Sequence, residues 1–75
     1  MSKERLEELL EYLLHQKELQ IKWKEEEEIK KEIEKRHGNA IGVRAKQHLI
    51  DMRENEIAKV NDLIDLVQEA HFKCG

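Results

Sequence analysis

Apolar residues in the second half of the chain recur with the spacing of a coiled coil. Two core positions follow each other at spacings of three and then four residues, so each position recurs every seven residues. One is held by Val43, Ile50, Ile57, Ile64 and His71, and the other by Lys46, Arg53, Val60 and Val67. A narrow seam sustained over this length predicts a long helix that packs against another helix. We expect the seam to be strongest between Ile57 and Val67, with Leu63 contributing to it.

The first half of the chain carries apolar residues on two different faces. A dense apolar block near the start comprises Leu6, Leu9, Leu10, Leu13 and Leu14. Ile21, Ile29 and Ile33 continue the same side, with a spacing closer to an 11-residue repeat than to a heptad. Tyr12, Leu19 and Trp23 fall on another face at about 100° per residue. Since one partner helix covers only one face, we expect Tyr12, Leu19 and Trp23 to form an intermolecular face.

The strongest break in the pattern lies between His37 and Gly42. Gly38 can adopt a left-handed backbone conformation that ends a helix, and Asn39 can cap the helix that follows. These signals predict helix 1 over about residues 2–37, a turn at 38–42 and helix 2 over about 43–73, or from 40 if Asn39 caps it directly. Ser2 is a candidate cap for helix 1.

Long helices joined by a short turn favour an all-α antiparallel hairpin in a single domain over residues 1–75, with one continuous helix as the alternative. The predicted core consists of Leu6, Leu10, Leu13, Ile50, Ile57, Val60, Ile64 and Val67. Folding about residue 40 brings Arg53 near Glu27 and Glu28, and Lys46 near Glu34. We therefore expect polar layers in the seam, unless both cations extend out of it on their aliphatic stems.

A chain of 75 residues has too little core to bury both apolar faces of helix 1 within one two-helix seam. A second hairpin would complete a four-helix coiled-coil bundle, and most small homo-oligomers close by two-fold symmetry. The sequence therefore predicts a homodimer that presents a surface to another protein. A hairpin that folds against a different protein is the alternative.

Composition and charge narrow the classes of function. Charged residues make up 41% of the chain and aromatic residues 4%, as in solvated helices, and the net charge of −3 disfavours a protein that coats nucleic acid. The single cysteine, Cys74, excludes an internal disulfide, fits a reducing cytoplasmic compartment and is expected to be inert. The N-terminal residues predict neither a secretory signal nor a membrane span.

A basic segment around the turn is a candidate site for an anion or an acidic partner. No acidic residue occurs between residues 35 and 50, and the segment holds Lys35, Arg36, His37, Arg44, Lys46 and His48. Cations beside a glycine-containing turn with free N–H groups can bind phosphate, which makes nucleic-acid or phosphate-ligand binding an alternative function. The simpler interpretation is that these cations complement the end of helix 1 and the nearby Glu-rich run.

Residues that would support catalysis or metal binding are sparse. Glu34 and His37 have the spacing of a helical di-metal site, but the facing carboxylates that such a site needs are not evident. The sequence contains no phosphate-binding glycine loop and no nucleophile elbow. We therefore expect no enzyme, no cofactor and no metal site, with a helical metal-binding bundle as the second alternative. The leading hypothesis is a protein–protein interaction module that acts as an adaptor, scaffold or regulator.

Overall fold

The computed structural model describes residues 2–74, except for the side chain of Cys74, and these residues form two α-helices. The first, α1, spans Lys3–Arg36 and the second, α2, spans Ala40–Cys74. The two helices pack against each other in a hairpin that measures 55 × 14 × 12 Å. The predicted all-α helical hairpin is therefore confirmed, and the alternative of one continuous helix is wrong.

Backbone hydrogen bonds around a left-handed glycine close α1. Gly38 has a φ of 72°. The N–H groups of Gly38 and Asn39 donate to the carbonyl oxygens of Lys35 and Glu34 at 3.1 and 3.0 Å, which is the Schellman pattern. These bonds reverse the chain within residues 37–39, so the hairpin pivots on Gly38.

Each helix starts at a polar cap residue. The Oγ of Ser2 accepts a hydrogen bond from the backbone N–H of Arg5 at 3.3 Å, as its position predicts. The Oδ1 of Asn39 accepts one from the backbone N–H of Gly42 at 3.0 Å. Since Asn39 caps α2 directly, the predicted turn at residues 38–42 is too long, and Gly42 lies inside the first turn of α2.

The seam, meaning the buried contact between the two helices, follows a seven-residue repeat in α1. Its central position is held by Leu6, Leu13, Gln20, Glu27 and Glu34. Ile29 and Ile33, which we expected to continue the seam, are instead 62% and 48% exposed. The prediction for Ile29 and Ile33 is wrong because α2 packs with a seven-residue period, so the residues of α1 that contact it recur with the same period. Apolar residues spaced by an 11-residue repeat gradually turn away from this contact.

The apolar core lies in the half of the hairpin farther from the turn. It is a cluster of Leu6, Leu13, Ile64 and Val67, with Leu9, Leu10, Val60 and Ala70 packed against it. Ile50 is buried separately, nearer the turn. All eight residues predicted for the core are buried or half-buried. Leu63, expected to strengthen the seam, is half-exposed because it lies one position away from the central heptad residue Ile64.

Polar side chains fill the half of the seam nearer the turn. Lys46 Nζ lies 3.6 Å from a carboxylate oxygen of Glu27, and Arg53 donates a hydrogen bond of 3.1 Å to the side-chain oxygen of Gln20. Polar layers are thus present, but each partner lies seven residues earlier in α1 than we expected. Moving the pivot from residue 40 to Gly38 accounts for four of these seven residues, and the Asn39 amide already binds the Glu34 carboxylate.

The plane through the two helix axes divides the surface into two sides of different chemistry. On one side, Lys24 pairs with Glu54 at 3.3 Å and Lys31 donates a hydrogen bond to Gln47, so that polar contacts bridge the helices. We call this the bridged side. Successive residues of a helix are rotated by about 100°, which decides the side of the seam on which each heptad position lies. The positions opposite the bridged side form a second surface, which we call the open side.

Candidate interaction surface

The open side carries most of the large apolar side chains that the described residues expose. Ten such side chains are exposed, and seven lie on the open side. These seven are Tyr12, Trp23, Ile29, Ile33, Met52, Leu63 and Leu66. The half-buried Leu19 and Leu49 lie among them, whereas Leu14, Ile41 and Phe72 lie on the other side of the plane. Scattered apolar residues are ordinary on a protein surface, whereas a concentration of them on one side is typical of interaction surfaces.

Helix α1 places all three residues of the predicted intermolecular face on the open side. Tyr12 is 59% exposed, Leu19 is half-buried and Trp23 is 38% exposed. Trp23 nevertheless has an intrachain contact that we did not expect, because the Arg53 guanidinium lies 4.7 Å from the centre of its ring. This cation–π contact links the indole of Trp23 on α1 to Arg53 on α2 along the edge of the seam.

Helix α2 also contributes apolar surface to the open side, and our interpretation of the sequence missed most of it. Leu49 and Met52 lie near the turn, and Leu63 and Leu66 lie in the farther half. The members of each pair are three residues apart, on the flank of the helix beside the seam. This spacing was visible in the sequence, but we considered only Leu63, and assigned it to the seam.

The accessible area of the hairpin exceeds that of a compact monomer. The area is 5843 Å² for a mass of 9.0 kDa. The scaling law for folded monomers gives roughly 4,850 Å² at this mass, so the excess is about 1,000 Å². A protein–protein interface of standard size removes about 800 Å² from each partner. The excess is therefore comparable to the area that one such contact would cover.

The structure distributes the six predicted tip residues among different environments. Lys46 turns into the seam toward Glu27, and Arg36 lies 3.6 Å from Glu32. His37 and His48 are exposed. Lys35 and Arg44 line a shallow cavity of about 340 Å³ with Gly38, Asn39, Ala40 and Val43. The six side chains do not converge on one point, so phosphate or nucleic-acid binding at the tip stays a prediction without a defined pocket.

Within the described part of the chain, no three His, Cys, Asp or Glu side chains come together as metal ligands would. Glu34, from the suggested di-metal spacing, instead accepts a hydrogen bond of 2.8 Å from the Asn39 side chain. His71 lies at the far end of the seam, with its Nε2 3.0 Å from a carboxylate oxygen of Glu7. In the same described residues, neither helix has a stretch apolar enough to cross a lipid bilayer.

Comparisons with protein-family models, curated proteins and solved structures find no significant match to this chain.

Proposed function

We propose that this protein is a non-enzymatic interaction module that associates with a second copy of itself through the open side and so forms a four-helix bundle. The observation that carries the proposal is the concentration of exposed apolar side chains on one side of a hairpin whose own core is small. Only Leu6, Leu13, Ile50, Ile64 and Val67 are buried among the described residues. A core of this size gives a marginal monomer, and a second hairpin supplies the missing burial.

The chemistry of the two sides supports the assignment of the surface. On the bridged side, polar contacts such as that of Lys24 with Glu54 span the two helices. On the open side, residues such as Tyr12 and Leu66 expose more than half of their surface. Each fully buried leucine-sized side chain stabilises an assembly by about 1.5–3 kcal/mol, so burial of several of them contributes much of the roughly 8 kcal/mol that micromolar association requires.

An alanine pair tests this surface. Leu63 and Leu66 are 49% and 62% exposed and lie outside the core cluster, so Leu63→Ala with Leu66→Ala should leave the hairpin folded. We expect the double variant to dissociate at concentrations where the unmodified chain is a dimer, because the contact loses roughly 2 kcal/mol or more. Light scattering after size exclusion reports the mass, and circular dichroism reports the helix content.

A matched control comes from the other side of the hairpin. Leu14 and Phe72 are also exposed, but they lie on the bridged side. Leu14→Ala with Phe72→Ala should leave the dimer unchanged. If this control pair dissociates the dimer and the Leu63/Leu66 pair does not, the surface is wrongly assigned.

A further inference from the structure

Two side chains of the seam hold the indole of Trp23 in a defined place. The Arg53 guanidinium lies 4.7 Å from the centre of the indole ring, and its Nη1 donates a hydrogen bond of 3.1 Å to the side-chain oxygen of Gln20. Arg53 and Gln20 are half-buried, whereas Trp23 is 38% exposed. Arg53 is thus fixed by a polar partner in the seam while its planar group stacks on an indole that still contacts solvent.

The position of this pair along the rod places it in the middle of a contact that covers the open side. Trp23 lies within four residues of the midpoint of α1, and Arg53 lies four residues from the midpoint of α2. Four residues correspond to about 6 Å along a helix, in a rod 55 Å long. A second copy that overlaps the whole open side therefore meets Trp23 with its own middle part, whether it runs parallel or antiparallel to the first.

The other residues at this level leave Trp23 as the largest apolar group in the middle of the open side. The open side of α2 carries Glu56 and Lys59 there, with their side chains 3.5 Å apart. The apolar residues of α2 lie on either side of this level, and they are Leu49, Met52, Leu63 and Leu66. Leu19 and Trp23 of α1 supply the apolar surface between them, and Trp23 is the larger and the more exposed of the two.

From this geometry we infer that Trp23 is the central anchor of the self-contact and that Arg53 is the positioning residue that orders it. Interface residues that contribute most to affinity cluster near the centre of a contact and are enriched in tryptophan. Ordering a mobile side chain opposes association, so an indole that is fixed before the second copy docks binds more tightly. The inference rests on the proposed function, since it assigns roles to two residues of the same contact.

The fluorescence of the unmodified chain tests the anchor without any substitution. Trp23 is the one tryptophan in the sequence, so indole emission reports on this site alone. As rising concentration doubles the mass, we expect the emission to move to shorter wavelength and quenching by acrylamide to fall. Both changes should have the same midpoint as the mass measured by sedimentation. A mass that doubles while emission and quenching stay constant would contradict the anchor.

Two aromatic substitutions test whether the contact is centred on Trp23. We expect Trp23→Ala to raise the dissociation constant of the dimer about 30-fold or more, the effect of a hot-spot residue. Tyr12 is 59% exposed on the same side but lies near the far end, so Tyr12→Ala is the matched control. It should raise the constant by less than about 10-fold, with helix content unchanged in both variants. An effect of Tyr12→Ala that equals or exceeds that of Trp23→Ala would contradict the central position.

A double-mutant cycle tests whether Arg53 acts through Trp23. Arg53→Gln keeps an amide that can bind Gln20 but lacks the guanidinium, and it should raise the dissociation constant about 3- to 10-fold because the indole must then be ordered on binding. In a Trp23→Ala chain the same substitution should change the constant by less than about twofold. An equal effect of Arg53→Gln in both chains would overturn the positioning role.

The proposed function and this inference fail in different ways. A chain that stays monomeric throughout the concentration range contradicts self-association itself. A dimer that forms with no change in Trp23 emission, or that is unaffected by Trp23→Ala, keeps self-association and contradicts only the anchor.

Discussion

Two glycines beside the turn have different physical roles, although both were visible in the sequence as turn signals. Gly38 has a left-handed φ of 72°, and a Cβ added there would meet no other atom within 4 Å. Gly42 has an ordinary helical backbone, but a Cβ there would lie 2.7 Å from the side-chain atoms of Asn39 and Glu34 that form the cap. Gly38 is required because of its left-handed backbone conformation, whereas Gly42 leaves room for the hydrogen bond between the side chains of Asn39 and Glu34.

Substitution of the two glycines separates these roles. Gly38→Ala should lower the free energy of unfolding by about 1 kcal/mol or more, because a side chain disfavours the left-handed conformation. Gly42→Ala should be close to neutral, because a gain of up to about 1 kcal/mol in helix propensity offsets a loosened Asn39–Glu34 bond. Urea unfolding followed by circular dichroism measures both. Equal losses in the two variants would contradict this account of the turn.

At the scale of the elements, the two halves of the seam differ in what holds them together. The half farther from the turn has the leucine-rich core around Leu13 and Ile64. The half nearer the turn relies on polar contacts, such as Lys46 with Glu27, whose side chains are 27% and 17% exposed. Ion pairs that remain partly in contact with water add at most about 1 kcal/mol, which is less than the burial of a leucine.

We therefore expect the hairpin to open more readily near the turn than near the core. Amide hydrogen exchange at neutral pH should show slower exchange in residues 6–13 and 60–70 than in residues 20–34 and 43–53. The measurement requires concentrations at which the chain has the same mass throughout. Uniform protection along both helices, or stronger protection near the turn, would contradict the division of the seam into two halves.

The sequence predicted α2 better than α1, for a physical reason. In α2 the apolar residues that pack in the seam keep a seven-residue period, so Ile50, Ile64 and Val67 were identified correctly. In α1 the seam residues beyond Leu13 are polar, so the apolar pattern alone followed the exposed Ile29 and Ile33. Burial in this helix is decided by the position of the partner helix, and a single helix pattern does not contain that information.

The candidate surface was predicted in part. The two faces of α1 indicated that Tyr12, Leu19 and Trp23 lie on a face different from the seam, and the structure places them on the open side, with Leu19 half-buried and Trp23 in contact with Arg53. The stacking of Arg53 over Trp23 depends on the register between the helices, and a two-residue error in the assumed pivot hid it. The same register between the helices decides which residues of α2 lie on the open side, so the pattern of a single helix did not predict their contribution.

At the scale of the whole molecule, the account depends on the open side. The open side, along a rod 55 Å long, supplies the apolar area for association. Apolar burial gives most of the affinity in such contacts, and charge gives specificity and the rate of encounter. High salt, which screens charge but not apolar burial, should therefore leave the association largely intact.

The central claim is that the open side is covered by a second copy, and sedimentation equilibrium on the unmodified chain tests it most directly. The chain has a mass of 9.0 kDa, and across micromolar to hundred-micromolar concentrations we predict a mass that rises to twice this value. A mass that stays at 9.0 kDa throughout that range, with helix content intact, would contradict the account.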